Sequence, residues 1–220
     1  MQTVEGLDCP VLRASSSPIL AIRRVVEVGL ALLALVILSP FLALVSVLIK
    51  LDSPGPVLYE QRRVGLGGRL FKIFKFRTMV DDADQTLVEY LEGDAAHRLS
   101  WDQYQKLWHD PRLTRFGRML RRFSIDEIPQ LWNVLKGDMS LVGPRPFFPE
   151  QLEAYGEAYA YYIQVRPGLT GLWQVNGRNH TSFAERAWWD AYYVSHWSIK
   201  MDLAILLKTV WVVLSGKGAY

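Results

Sequence analysis

"VVEVGLALLALVILSPFLALVSVLI", residues 25–49, decides how the rest of the chain is read. The stretch carries a single charge, Glu27, near its start. About 20 apolar residues suffice to cross the ~30 Å hydrocarbon core of a bilayer, so a run this long reads as membrane-embedded. It is too long for the apolar segment of a signal peptide, and no small-residue cleavage site follows it. Ser39-Pro40 stands at its middle. Pro40 has no N–H to offer the carbonyl of Val36, and its ring crowds that carbonyl, so a kinked or broken helix is expected there. At 1.5 Å per residue, residues 24–39 make an arm of about 24 Å and residues 40–50 one of about 16 Å. Neither arm alone crosses the hydrocarbon comfortably; the two in line would.

The flanks bear on topology. Arg13, Arg23 and Arg24 precede the run, while Lys50, Arg62, Arg63, Arg69, Lys72, Lys75 and Arg77 follow it. Cytoplasmic flanks are the basic ones, and here both ends qualify. A re-entrant helix that turns at Ser39-Pro40 satisfies both; a straight span with Arg23 and Arg24 outside is the competing arrangement. Residues 1–22, with "ASSSP", read as a flexible tail, 23–50 as the membrane helix, and 51–220 as one membrane-associated domain.

Composition narrows the chemistry. Cys9 is the only cysteine, which excludes an internal disulfide and a cysteine-based metal site. His97, His109, His180 and His196 lack ligand spacing. A net charge of +3 is mildly basic and fits either an anionic membrane surface or nucleic acid.

Beyond the anchor, turn residues at 53–56 lead into two β-rich runs separated by Gly65-Leu-Gly-Gly68, a β-hairpin pattern. These glycines have the wrong spacing for a dinucleotide fingerprint. On the second strand Lys75 and Arg77 share a face, where two cations could grip phosphate or form a solvated basic edge. "DDAD", 81–84, reads as an acidic first helical turn or as a D-x-D metal site. "RLTRFGRMLRRFS", 112–124, is a basic amphipathic helix suited to a membrane surface or nucleic acid. Trp188, Trp189, Tyr192, Tyr193 and Trp197 then precede "LAILLKTVWVVL", 203–214, too short to span. They suit a headgroup layer or an aromatic core.

"SIDEIPQLWN", 124–133, allows two readings. Ser124 and Glu127 fit the capping box S-x-x-E. If Ser124 caps, however, Pro129 deletes a helical hydrogen bond; if Asp126 caps, Pro129 falls where no partner is needed. The proline thus favours a helix starting at Asp126, with Asp126 and Glu127 at its positive end, splayed about 100° apart. One carboxylate could then act as nucleophile and the other orient a metal or second substrate. Downstream, Arg145 stands between Pro144 and Pro146, a guanidinium on a stiffened backbone suited to bidentate phosphate binding.

With Ser39-Pro40, "FKIFKFRTM", "SIDEIPQLWNVLKGDMSLVGPRP", "VRPGLTGLWQVNGR" and "DAYYVSHWSIKMDL", the chain resembles the bacterial sugar transferases, small monotopic phosphoglycosyl transferases of the exopolysaccharide-initiating type. The match runs from about Arg23 to Tyr220, and the block from Asp126 to Pro146 is its most specific part. The resemblance implies transfer of a hexose 1-phosphate from a UDP-sugar to polyprenol (undecaprenyl) phosphate, through a phosphosugar on Asp126. It implies Mg²⁺ as cofactor, with Asp126 also touching the metal and Glu127 assisting the acceptor or metal. Arg145 would hold phosphate, Lys75 and Arg77 would contact the same diphosphate, and Arg166, Gln174 and Arg178 would shape the nucleotide end.

The expected fold is α+β: a re-entrant membrane helix, then a mainly helical cytoplasmic domain with a small β-hairpin and interfacial amphipathic helices. Expected partners are the UDP-sugar, polyprenol phosphate, the bilayer and downstream glycosyltransferases, with no nucleic acid and a homodimer left open. The expected location is the cytoplasmic face of the bacterial inner membrane. Two rivals predict otherwise: a membrane-anchored basic scaffold without chemistry, for which Asp126 is dispensable, and a D-x-D glycosyltransferase using Asp82 and Asp84, which releases nucleoside diphosphate rather than monophosphate.

Overall fold

The structure, a computed structural model, describes residues 18–104, 107, 110–176 and 181–215. Its first element, helix α1 (Pro18–Asp52), runs 35 residues with Pro40 inside it. Three expectations change. The helix starts at Pro18, so residues 18–22 of the expected tail are helical; residues 1–17 lie outside the described residues. It extends two residues past Lys50. Ser39-Pro40 does not break it. The Ser39 hydroxyl donates to the Val36 carbonyl at 2.8 Å, giving a partner to the acceptor that Pro40 leaves open.

Most apolar side chains of α1 face outward, and only 11% of its most apolar window is buried. One stripe turns inward at helical spacing: Glu27, Ala31, Val45 and Ile49 are buried, with Leu35 and Leu42 packed beside them. Strands β1 (Leu58–Val64) and β2 (Leu70–Phe76) form the expected antiparallel hairpin, in register from Leu58↔Phe76 to Val64↔Leu70. Gly67 and Gly68, both at positive φ, make its turn. Ala31 packs with Ile73 of β2 and with Leu131 and Val134 of helix α5 (Leu131–Lys136). Val45 and Ile49 pack with Phe76 of β2 and with Leu120 of helix α4 (Arg115–Arg122). The charged stretch before α4 forms helices α2 (Ala83–Glu92) and α3 (Ala95–Tyr104). Asp82 is the N-cap of α2 and Asp84 lies in its first turn, as the helix-dipole reading expects.

A second, two-stranded sheet was not visible in the sequence. Strands β3 (Ser140–Val142) and β4 (Gly168–Thr170) pair in parallel. Gly143 N–H donates to Thr170 O at 2.9 Å, and Gly168 N–H to Pro144 O at 2.8 Å. A Cβ on Gly168 would sit 2.1 Å from the backbone nitrogen of Gly143, so glycine alone permits this approach. Part of "VRPGLTG" is thus a clamp on the backbone that carries Arg145. Short helices α6 (Leu152–Tyr155), α7 (Tyr159–Tyr162) and α8 (Leu172–Asn176) lead to α9 (Phe183–Ser195) and α10 (Ile199–Ser215). Phe147 stacks on Tyr155 at 4.2 Å and meets Tyr162 edge-on at 4.6 Å, filling a core with Ala187 and Ala191 of α9.

The aromatic cluster contributes to the core, and the helix after it leaves an apolar face outward. Tyr193 and Trp197 turn inward and donate to Asp202 at 2.7 and 3.1 Å, while Leu207, Trp211 and Leu214 of α10 are at least 70% exposed. The fold is α+β, mostly helical, with one long apolar helix.

Candidate active site

Helix α4 delivers the acidic pair. Thr114 caps it through a 2.9 Å bond from the Gly117 amide, and Gly117 lets it lie directly on Thr78. After Arg122 the chain reverses at Ser124, the one non-glycine residue at positive φ among the described residues (φ 54°, ψ 23°). Such a conformation costs about 1–3 kcal/mol and persists only where surroundings impose it. A 3₁₀ segment, Ile125–Gln130, follows and runs into α5. Neither helix-start reading is observed: the Ser124 side chain caps nothing, and Asp126 sits inside the 3₁₀ turn instead of capping an α-helix. The tighter turn still aims the two carboxylates apart.

Their environments differ sharply. Glu127 Oε1 accepts from Lys75 at 2.8 Å and from Arg145 Nη2 at 2.6 Å, while its Oε2 accepts from Arg145 Nη1 at 3.2 Å. Burial alone would raise the Glu127 carboxyl, but Arg145 and Lys75 override it and hold the group far below the ordinary range. Asp126 is 7% exposed, and among the described residues no hydrogen-bond donor is paired with its carboxylate. Burial raises it above the ordinary range; Lys75 opposes that shift, Glu127 adds to it, and Arg121 and Arg145 also oppose it. One carboxylate is therefore fixed, and the other is left for a ligand while three cations lean toward it.

The supporting contacts come from distant segments. Lys75 is pushed down by burial against the pull of Glu127. Arg121 bonds Thr78 Oγ1 at 2.9 Å. Asn133, fully buried on α5, donates to Lys72 O at 2.7 Å and accepts from Phe74 N–H at 3.1 Å, locking α5 to β2 on either side of Ile73, just before Lys75. Arg63 donates to Pro146 O at 3.2 Å and lies 3.4 Å from the Phe148 ring centroid; burial, then Arg145, lower it to about 9. Asp190 of α9 accepts a short hydrogen bond from Tyr155, and burial pushes it up to about 8. Asn133, Arg63, Asp190 and Tyr155 had no signal in the sequence beyond polarity within apolar segments.

Asp126, Glu127, Lys75, Arg145 and Gln174 all line one cavity of about 1450 Å³. Arg77 also lines it, but its guanidinium is spent on the carbonyls of Ser53 (2.6 Å) and Pro54, holding the turn after α1. Arg166 does not line it; its Nε donates to Gly137 O at 2.8 Å, at the C-terminus of α5. Arg178 lies outside the described residues. Asp82 and Asp84 reach the cavity's rim. Among the described residues no three acidic, histidine or cysteine side chains are grouped to hold a metal. Leu38 of α1 and Leu206 and Val213 of α10 add an apolar border to the same cavity.

The chain that builds this cavity is similar to known proteins over most of its length. A model of the family described as "bacterial sugar transferase" matches residues 19–216. The exopolysaccharide production protein ExoY of Sinorhizobium fredii is 44% identical over 198 residues, covering 90% of this chain and 88% of that protein. The UDP-galactose-lipid carrier transferase of Erwinia amylovora is 45% identical over 199 residues, and the undecaprenyl-phosphate galactose phosphotransferase of Salmonella typhimurium 44%. Each is covered over 42% of its length, so the chain spans less than half of these two relatives. The chain belongs to the bacterial sugar transferase family.

Proposed function

We propose that this protein transfers a sugar 1-phosphate from a UDP-hexose to polyprenol phosphate, with Asp126 as covalent nucleophile. An Asp126 oxygen attacks the phosphorus that bears the sugar. The bond from that phosphorus to the bridging oxygen breaks, and UMP leaves with the electron pair. The polyprenol phosphate oxygen then attacks the same phosphorus, the aspartyl–phosphate bond breaks, and the carboxylate is regenerated. The product is a polyprenol-diphosphate sugar, a substrate for glycosyltransferases that extend it.

The observation that carries this reading is the asymmetry of the acidic pair. Glu127 has its oxygens occupied by Lys75 and Arg145; Asp126 has none occupied among the described residues. A nucleophile needs free lone pairs, and Lys75, Arg121 and Arg145 supply positive charge where an anion must approach an anion. The Arg145–Glu127 fork also fixes the plane of the guanidinium, which keeps its outer edge in register for phosphate.

Mg²⁺ fits as cofactor. One donor-free carboxylate, Asp126, together with substrate phosphates is the coordination this ion accepts. Bound there, it would neutralise the diphosphate.

The names of the relatives, which specify galactose transfer to undecaprenyl phosphate and a UDP-galactose lipid carrier, support the donor and acceptor classes. Anchor geometry supports a single-sided topology, which we place at the cytoplasmic face of the inner membrane because nucleotide sugars are cytoplasmic. Arg23 pairs with Asp202 at 2.9 Å, and 26 residues later Ile49 packs on Phe76 and Leu120. Those positions are about 39 Å apart along a helix, more than the hydrocarbon thickness, yet both rest on the same domain. A spanning helix would separate them by a bilayer. In this reading α1, helical through Pro40, stays on one face and enters the membrane along the domain.

The test is product analysis with UDP-hexoses, polyprenol phosphate and Mg²⁺. UMP release, with a radiolabelled phosphosugar trapped on the protein and lost in Asp126→Asn, is the expected result. Release of UDP would instead indicate glycosyl transfer and refute the reading.

A further inference from the structure

Past Arg145 the cavity has a second polar wall that the proposed chemistry does not use. Among the described residues, three side-chain atoms on it are buried without a well-formed hydrogen bond: Trp173 Nε1, Gln174 Oε1 and Asp190 Oδ1, although the backbone N–H of Arg145 also bears on the Asp190 carboxylate. Buried polar atoms are nearly always paired, so three orphans lining one cavity ask for a ligand that completes them. The wall adjoins the acidic pair. Arg145, which grips Glu127, acts electrostatically on both Asp190 and Arg186, and Arg186 lies 4.9 Å from the Trp173 ring centroid. It is also held in place. Tyr155 donates to the other oxygen of Asp190 and is itself wedged between Phe147 at 4.2 Å and Phe183 at 5.6 Å.

We propose that this wall is the hexose subsite of the sugar donor, with Asp190, Gln174 and Trp173 bonding the sugar hydroxyls. The inference rests on the sugar-phosphate transfer proposed above and adds the residues that choose the sugar. A hydroxyl both donates and accepts, so one ring of hydroxyls can serve an unpaired acceptor, Gln174 Oε1, and an unpaired donor, Trp173 Nε1. A pyrimidine would ask for an open aromatic face, whereas one face of Trp173 is already covered by Arg186. Position agrees. The sugar hangs on the phosphorus that Asp126 attacks, and a single arginine separates this wall from Glu127. Burial pushes the Asp190 carboxyl up to about 8, which weakens the negative charge it presents to the neighbouring diphosphate. Gln174 thereby moves from the nucleotide end of the donor to its sugar end.

The experiment uses the full chain in detergent micelles. The wild type is first offered UDP-galactose, UDP-glucose and UDP-N-acetylgalactosamine with polyprenol phosphate and Mg²⁺, and the donor giving fastest UMP release is chosen. Absence of UMP release from all three would overturn the transfer reading, and this inference with it. Calorimetric titrations then compare that donor with UDP, in an Asp126→Asn background so that the donor is not consumed. Trp173→Phe, Gln174→Leu and Asp190→Asn are each expected to weaken binding of the UDP-hexose about tenfold while leaving UDP within about twofold. Retained UDP binding reports that each variant is folded. Equal losses for UDP and UDP-hexose would assign the wall to the nucleoside or to the fold, and no loss for either would leave it structural; both results overturn the proposal.

Discussion

Glu127→Gln removes one charge and keeps the shape, which makes it the most informative perturbation of this site. Glu127 is, among the described residues, the sole side chain that bonds both Lys75 and Arg145, through contacts of 2.6–3.2 Å. Breaking a buried pair by neutralising one partner typically costs about 3–5 kcal/mol, since the remaining charge stays desolvated. Two cations are stranded here, but the Arg145 side chain is 34% exposed and water recovers part of its loss, so about 3 kcal/mol is expected. The pH dependence follows from the sign. Glu127 is held below its unfolded-state value, so its contribution is fully present above the ordinary carboxylate range and is lost as pH falls through the depressed folded value. The stability gap between wild type and Glu127→Gln should therefore be full at pH 7 and shrink progressively below about pH 4. A second consequence reaches the nucleophile. Freed Lys75 can turn to Asp126, occupying lone pairs that attack requires, so turnover should fall at least about a hundredfold. Tryptophan-fluorescence melts in detergent across pH, with UMP release measured at pH 7, check both. A variant as stable as wild type at pH 7, or a gap that widens on acidification, would refute the assignment of Glu127 as the clamp.

Asp126→Asn should keep the fold and lose essentially all turnover and all trapped phosphosugar, because an amide cannot displace UMP; activity above a few per cent of wild type would exclude the covalent route. Gly117→Ala should destabilise by about 1–3 kcal/mol despite alanine's better helix propensity, since the new Cβ would fall 2.1 Å from the Thr78 carbonyl oxygen. Turnover should drop with it as Arg121 loses Thr78; an unchanged melting temperature would show that α4 can slide. For topology, Ser15→Cys and Glu60→Cys, each in a Cys9→Ser background, should both resist an impermeant thiol reagent on intact cells and react after lysis. Labelling of position 15 alone would establish a spanning helix.

Much of this site was legible because its parts are local. Asp126 and Glu127 are adjacent, Pro144 and Pro146 bracket Arg145, and the Gly65–Gly68 turn announces the hairpin that carries Lys75. Sequence spacing fails where a side chain can choose between a ligand and the protein's own backbone. Arg77 was expected at the diphosphate and Arg166 at the nucleotide end, yet each bonds carbonyls closer at hand, at Ser53 and Gly137. Asn133, Arg63 and Asp190 act across 35 to 83 residues of chain, and nothing at their own positions announces the partner. Strands β3 and β4 are three residues each, too short for a period-2 pattern to register. Pro40 was overweighted. Its cost is real, but Ser39 supplies a donor to Val36, and apolar side chains continue on both sides, so the helix persists.

Anchor and active site are built from the same contacts, and that ties membrane depth to chemistry. Ala31 of α1 touches the cluster formed by Ile73 and Leu131, which flank Lys75 and the acidic pair in sequence. Val45 and Ile49 touch Phe76 and Leu120, next to Lys75 and Arg121. At the other end Arg23 reaches Asp202 and the Val142 carbonyl, two residues before the backbone of Pro144 that carries Arg145 toward Glu127. Each cation that faces the carboxylates therefore sits one or a few residues from a contact with α1. A shift of the helix in the bilayer would be felt at Lys75, Arg121 and Arg145 together, because packed interiors transmit displacement instead of absorbing it. Leu38, near the middle of α1, opens onto the cavity that holds Asp126. The transfer proposed above, which brings a water-soluble diphosphate and a lipid-embedded phosphate to Asp126, needs that carboxylate at a fixed height above the hydrocarbon. A helix laid along the domain, gripped at both ends and lining the cavity at its centre, sets that height with the contacts that also align the site.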